Sequence, residues 1–219
     1  MNEITVWGFR WVPPFAQGLV RDLRVRWALE EAGRSYEVQL IDVDDRKSAA
    51  YLLRQPFGMV PAFEADNRGM FESGAIVHYI AADSTTLMPV DPRERANVLA
   101  WMFAALNTVE PPIQNLLDMD LQHSEETWAK LRRPAVVDAV NVRLEALSAW
   151  LAGRDYLIHR FTAADILMTT TLRFIQHTDL VAAFPVLDAY VKRCEARPAF
   201  QKVLRNQMTE YARNAPVAA

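Results

Sequence analysis

The stretch Gln55-Pro-Phe-Gly-Met-Val-Pro61, with Phe71-Glu72-Ser73 a short way downstream, decides the reading of this chain. It places a Val-Pro step at the entry of one candidate strand and a Glu-Ser step at the exit of the next. The residues after it, Gly74-Ala-Ile-Val-His-Tyr-Ile-Ala81, read as a helix. Proline carries no amide donor, so Pro61 suits a strand entry, and a cis bond there turns the preceding backbone groups outward. An outward amide and carbonyl at Val60 can pair with an extended peptide as an added strand would. Ser73 at a helix start offers a hydroxyl and free amides to a carboxylate, while Glu72 beside it suits an ammonium group. One short span therefore carries receptors for the backbone, carboxylate and amine of a small peptide.

Upstream, Ile4-Thr-Val-Trp7 reads as an apolar strand ended by Gly8, followed by a Pro13-Pro14 loop. A helix comes next, with Leu19, Leu23 and Trp27 at four-residue spacing and Gly33 as its stop. Asp22 with Arg26, and Arg26 with Glu30, fall at i,i+4 on its more polar side. Tyr36, Val38 and Leu40 alternate with polar residues as a half-buried strand does. A helix over residues 48–54 then completes a right-handed βαβ unit that leads into Pro61. Asp66-Asn67-Arg68-Gly69 is a turn signal between two antiparallel strands.

Downstream, residues 83–91 read as a linker, and everything after Pro92 as helix. Residues 93–117 form one long helical stretch that Pro111-Pro112 must end or kink. A further helix is expected from Pro134 to Leu151, with Gly153 beyond it. Thr162 with Asp165 makes an N-terminal capping signature, and Phe161 can staple onto Ile166. The uncharged run from Ile166 to Leu172 marks that helix as the buried centre. Pro185 and Pro198 suit the first turns of two more helices, and a frayed tail is expected after Arg213.

These features together resemble the glutathione S-transferase superfamily. The Val60-Pro61 and Glu72-Ser73 pair is similar to its glutathione-binding half. Arg24-Val-Arg-Trp-Ala-Leu-Glu-Glu-Ala-Gly33 looks like its first helix with its glycine stop. Phe161-Thr-Ala-Ala-Asp-Ile166 resembles its second-domain capping box, and Arg197-Pro-Ala-Phe-Gln-Lys-Val-Leu204 its last conventional helix. The resemblance implies an α/β thioredoxin-like N-terminal domain over 1–82, a linker over 83–91, and an all-α helical-bundle C-terminal domain over 92–219. It implies glutathione as cosubstrate, with Met59, Val60, Pro61, Glu72 and Ser73 at its binding site, and a homodimer. The implied reaction is attack of the glutathione thiolate on a small apolar electrophile.

In that family a Tyr, Ser or Cys after the first strand serves the thiol. From Val6 to Arg34 this chain has no Ser, Thr, Tyr or Cys. Three readings stand open. Arg10, Arg21, the Gln17 amide or the Trp11 indole donates to the sulfur; or backbone amides near Gln17 to Val20 suffice; or the chain binds glutathione without activating it. A non-catalytic binding module and glutathione-dependent isomerase or reductase chemistry are the alternatives to transfer. Met59 stands where the family often has Gln or Lys for the glycyl end, with Gln55 or Arg68 as the compensating candidates. Trp11, Phe15, Phe103 and Asn107 are the candidates for lining an electrophile pocket.

Composition narrows the remaining classes. At 219 residues and 51% hydrophobic content, the chain can bury one or two cores. Its 24 basic and 27 acidic residues are interspersed, with no basic stripe for a nucleic acid. There is no apolar run of about 18 residues to span a membrane. The start Met1-Asn-Glu-Ile-Thr-Val has no signal-peptide pattern. A single cysteine, Cys194, excludes an internal disulfide framework. His78, His123, His159 and His177 share no ligand spacing, so no metal is expected. Asp42, Asp44 and Asp45 read as a solvated turn. The expectation is a soluble cytoplasmic protein.

Overall fold

In the computed structural model, residues 4–66 and 68–216 are described. The Met1-Asn-Glu start, Asn67 of the expected turn, and residues 217–219 of the expected frayed tail lie outside them. The chain divides into two units, residues 1–87 with 197–219, and residues 88–196.

The first unit is built on a mixed sheet of order β2-β1-β3-β4. β1 (Ile4–Phe9) pairs in parallel with β2 (Glu37–Ile41) and antiparallel with β3 (Ala62–Ala65), which pairs antiparallel with β4 (Arg68–Phe71). β1 does not stop at Gly8: the ladder runs on through Gly8↔Leu40 and Phe9↔Ile41. The crossover helix is α1 (Asp22–Glu31), with α2 (Ala49–Leu52) before β3 and α3 (Ser73–Ala82) after β4. α1 starts later than its apolar spacing suggests. Gly18 sits at φ 76, a conformation that glycine adopts without cost, and Leu19 lies in the turn this creates. At the other end Gly33, at φ 65, closes a Schellman motif: Arg34 N bonds Leu29 O and Gly33 N bonds Glu30 O.

The last helix, α9 (Pro198–Arg213), groups with this first unit, whereas the sequence reading put 92–219 together. Its apolar residues explain the placement: Phe200, Val203 and Tyr211 are buried, and the Phe200 ring lies 4.7 Å from that of Trp27 on α1. Ion pairs add to this seam, Arg197 to Glu31 at 2.6 Å and Lys202 to Glu30 at 2.8 Å.

Between the sheet and α9, the expected polar side of α1 is enclosed. Asp22 and Arg26 are 0% and 1% exposed and pair at 2.7 Å. Arg26 Nη1 reaches Glu210 at 2.7 Å instead of Glu30, and Gln207 Nε2 donates to Asp22 Oδ1 at 2.9 Å. Burial pushes the Asp22 carboxyl up, against the pull of Arg26 and Gln207.

The second unit holds α4 (Pro92–Phe103), a π-helical segment (Ala104–Val109), α5 (Glu110–Leu121), α6 (Thr127–Leu151), α7 (Ala163–Arg173) and α8 (Pro185–Glu195). The Pro111-Pro112 pair falls in the first turn of α5. The wider π turn just before it, with Glu110 N on Ala105 O, carries the helix up to the prolines. α6 begins at Thr127 rather than Pro134. Pro134 and Lys130 are both exposed, so the Lys130 carbonyl that loses its amide partner can bond water. α7 is buried along its whole length. Its capping box is formed by Thr162 and Asp165, whose carboxylate also accepts from Leu157 N and the Tyr190 hydroxyl. Among the described residues, no helix is long and apolar enough to cross a membrane.

Candidate functional site

The Val60-Pro61 bond is cis. The β1/β3 ladder ends at Trp7↔Ala62, so the Val60 backbone lies just beyond the last paired position. The Val60 side chain points inward, 8% exposed, in a cluster with Ile41, Tyr51 and Ala62. Trp7, Phe9 and Val20 pack against that cluster. The strand entry and the turn that precedes α1 therefore share one apolar anchor. The Met59 carbonyl accepts the Tyr51 hydroxyl at 2.7 Å, while its side chain is 45% exposed. Burial pushes the Tyr51 hydroxyl up to about 12, so it stays a donor across the neutral range. Gln55 is 3% exposed and its Oε1 accepts from Phe57 N at 2.7 Å. That side chain belongs to the turn, which Gly58 completes at φ 62.

Glu72 caps α3 with φ 69 and ψ 111, and its carbonyl takes Ile76 N at 3.0 Å. A non-glycine residue at positive φ costs about 1–3 kcal/mol, and such strain clusters at ligand clamps and active sites. The Glu72 side chain is exposed; Ser73, the first residue of α3, is 5% exposed. Its Oγ accepts from Arg24 Nη1 at 3.2 Å. Sequence reasoning missed Arg24 here, because no neighbouring residue marks its partner. Asp22, Arg24 and Arg26 alternate with Leu23, Val25 and Trp27, and a helix covered on all sides must give each charge a partner.

The residues proposed near the sulfur divide. Arg10 Nε bonds Asp42 at 3.0 Å and its Nη2 bonds Leu40 O at 3.3 Å, directing it along the end of β2. Gln17 Nε2 bonds Val12 O at 3.0 Å. Trp11 is half-buried, Arg21 is the N-terminal cap of α1, and Phe15 is 49% exposed. Arg68 stands at the opposite end of β4 from Glu72. On the second unit, Phe103 ends α4 at 61% exposure, and Asn107 is exposed on the π segment. Among the described residues, no group of His, Cys, Asp or Glu is placed to hold a metal ion.

A βαβ unit leading through a cis-proline into a hairpin and helix, joined to an all-helical unit, defines a thioredoxin-like domain with a helical partner domain. Residues 16–82 match the family model for the glutathione S-transferase N-terminal domain, and residues 122–198 that for its C-terminal domain. The chain is 30% identical over 194 residues to a probable glutathione S-transferase of Oryza sativa subsp. japonica, covering 80% of this chain and 86% of that protein. It is 32% identical over 150 residues to elongation factor 1-gamma of Artemia salina, covering 64% of this chain and 32% of that protein. In fold it resembles a glutathione transferase from Pseudomonas putida, whose structure holds one glutathione disulfide per subunit. The TM-score is 0.82 at 24% identity, over 93% of this chain and 91% of that one. The chain belongs to the glutathione S-transferase family.

Proposed function

We propose that the first unit binds glutathione across Val60, Pro61, Glu72 and Ser73, and that the chain joins its sulfur to a small apolar electrophile. The observation that carries this reading is the convergence on α1 and the turn before it. Arg24 donates to Ser73 at 3.2 Å, and Val20 packs against the cluster that holds Val60. α1 and the turn that leads into it thus register the carboxylate receptor at the start of α3 with the strand entry that would pair the cysteinyl backbone. Glu72 offers its exposed carboxylate to the ammonium group. Met59 offers apolar contact, without a donor, toward the glycyl end.

In the reaction, the thiol loses its proton, the thiolate attacks an electrophilic carbon, and a carbon–sulfur bond forms. The displaced electron pair leaves with a departing group or takes up a proton. A free thiol titrates near 8.5, and each unit of lowering needs about 1.4 kcal/mol of preference for the thiolate. The Arg10 and Gln17 side chains are bonded elsewhere, which favours the start of α1 for this task. We place the thiolate against the Val20 amide and the positive end of α1, with Arg21 and Trp11 beside it. On the first unit, Trp11 and Phe15 offer apolar surface to an electrophile.

A second reading, glutathione or ligand carriage without transfer, draws on two observations. The chain has no hydroxyl or thiol side chain from Val6 to Arg34, and it is similar to an elongation factor 1-gamma. Homodimerisation is part of the proposal, supported by the exposed Phe57 and Phe71 rings, 6.0 Å apart, and by the exposed Leu53.

Glutathione-dependent thermal stabilisation, with the thiolate absorbance titrated against pH, separates the readings. A raised melting temperature with a lowered thiol pKa supports transfer. A raised melting temperature with an unperturbed thiol supports carriage. No shift in melting temperature removes the binding site itself.

A further inference from the structure

The buried polar seam between α1 and α9 stands outside the residues proposed to touch glutathione, yet it meets α1 in its first turn. Asp22 opens that helix directly after the Gly18–Arg21 turn. Its Oδ1 accepts from Gln207 Nε2 at 2.9 Å, and its Oδ2 lies 2.7 Å from Arg26 Nε. Arg26 in turn holds Glu210 through Nη1 at 2.7 Å. Asp22 and Gln207 are fully enclosed and Arg26 is 1% exposed. Tyr211 is buried in the same seam, and its hydroxyl feels the charges of Asp22, Arg26 and Glu210.

Such a seam is an unusual way to gain stability. Replacing a buried ion pair with apolar residues of similar volume is often neutral or stabilising, and what the polar version best supplies is register. Here the register joins α9 to the first turn of α1. Asp22 also brings a negative charge into that turn, where it would oppose a thiolate. Gln207 and Arg26 hold the carboxylate inward and compensate it.

We propose that Gln207 is a positioning residue for the glutathione thiol: by holding Asp22, it sets the first turn of α1 and keeps the Asp22 charge turned away from the sulfur. This rests on the reading that glutathione binds the first unit with its sulfur at the start of α1. Loss of the Gln207 bond leaves Asp22 less compensated and α1 less fixed. The thiolate then becomes harder to form, while the carboxylate and amine receptors at Glu72 and Ser73 stay intact.

The test compares wild type with Gln207→Met, which keeps the length of the side chain but not the donor, and with Gln207→Asn, a milder variant that withdraws it. Lys202→Met serves as control, because Lys202 on the same helix bonds Glu30 at 2.8 Å at the surface and not Asp22. Glutathione affinity is read by calorimetry and the bound thiol pKa by thiolate absorbance. The expected result is a thiol pKa raised by about half a unit to one unit in both Gln207 variants, that is, three- to tenfold less thiolate at neutral pH. Affinity should stay within about twofold, and Lys202→Met should leave the pKa in place. An unchanged thiol pKa in a folded Gln207 variant overturns the proposal, as does an equal shift in Lys202→Met. Failure of the wild type to bind glutathione overturns this proposal and the binding reading together, so the two failures are distinguishable.

Discussion

Arg24 Nη1 lies 3.2 Å from Ser73 Oγ, so an enclosed cation on α1 donates into the first residue of α3. The contact puts positive charge behind a helix start whose amides already favour an anion. Ser73→Ala removes the hydroxyl and leaves the Arg24 guanidinium one partner short. Hydrogen bonds to charged groups are worth about 1.5–3 kcal/mol, so glutathione affinity should fall at least about tenfold by calorimetry. Unchanged affinity in a folded Ser73→Ala protein would remove Ser73 from the site.

Glu72 combines a strained backbone with the proposed ammonium contact. Glycine at this position relieves the positive φ, a gain of about 1–3 kcal/mol set against about 0.5–1 kcal/mol of added chain entropy. Glu72→Gly should therefore keep or raise the melting temperature while weakening glutathione binding by tenfold or more. Loss of both together would show the strain to be structural rather than tied to the ligand.

Gly8 is the place where β1 meets the Asp22–Arg26 pair. A Cβ there would stand 2.8 Å from Asp22 Oδ2 and 2.9 Å from Arg26 Nη2. Gly8→Ala has to displace a buried ion pair and should cost about 2–4 kcal/mol in urea denaturation. A loss under about 1 kcal/mol would mean that the pair moves aside freely.

Asp165 makes stability depend on pH. Burial pushes its carboxyl up to about 6 despite the hydrogen bonds from Leu157, Thr162 and Tyr190, whereas the unfolded chain titrates near 4. Between these values the native state holds a proton that the unfolded state has released. Its contribution is thus complete below about pH 4 and is lost as pH rises through about 6. The stability gap between wild type and Asp165→Asn should widen by about 1–3 kcal/mol from pH 7.5 to pH 4.5 in paired urea titrations. A gap that narrows on acidification would mean that the hydrogen bonds outweigh burial.

Phe57 is 70% exposed with its ring 6.0 Å from that of Phe71, and Leu53 nearby is 89% exposed. Phe57→Asp should move the protein from dimer to monomer in analytical ultracentrifugation without lowering the melting temperature of the isolated chain. A wild type that sediments as a monomer at all concentrations would remove the dimer from the proposal.

Much of this protein was legible in one dimension because the signals are local. Gly33 at φ 65, the Thr162–Asp165 capping box, the helix-opening Pro185 and Pro198, and the Val60-Pro61 step each act through neighbouring residues or through the backbone itself. The strand entry at Val60-Pro61 and the helix start at Glu72-Ser73 belong to this class, since each can be read from its own flanks. The fate of Asp22, Arg24 and Arg26 could not be read that way. Spacing put Asp22 and Arg26 on a polar face, and only α9, arriving from the far end of the chain, encloses them. Arg24 finds Ser73, and Arg26 finds Glu210, across sequence separations of 49 and 184 residues. Likewise Arg10 and Gln17 looked available for a sulfur until the fold gave them Asp42 and the Val12 carbonyl. Read without its fold, the sequence carried the family, the Val60-Pro61 step and the helix caps, because backbone geometry and capping are short-range. The distant partners of Arg10, Arg24 and Arg26 came from tertiary structure alone, because desolvation makes an enclosed charge depend on whatever packing brings within about 3 Å of it.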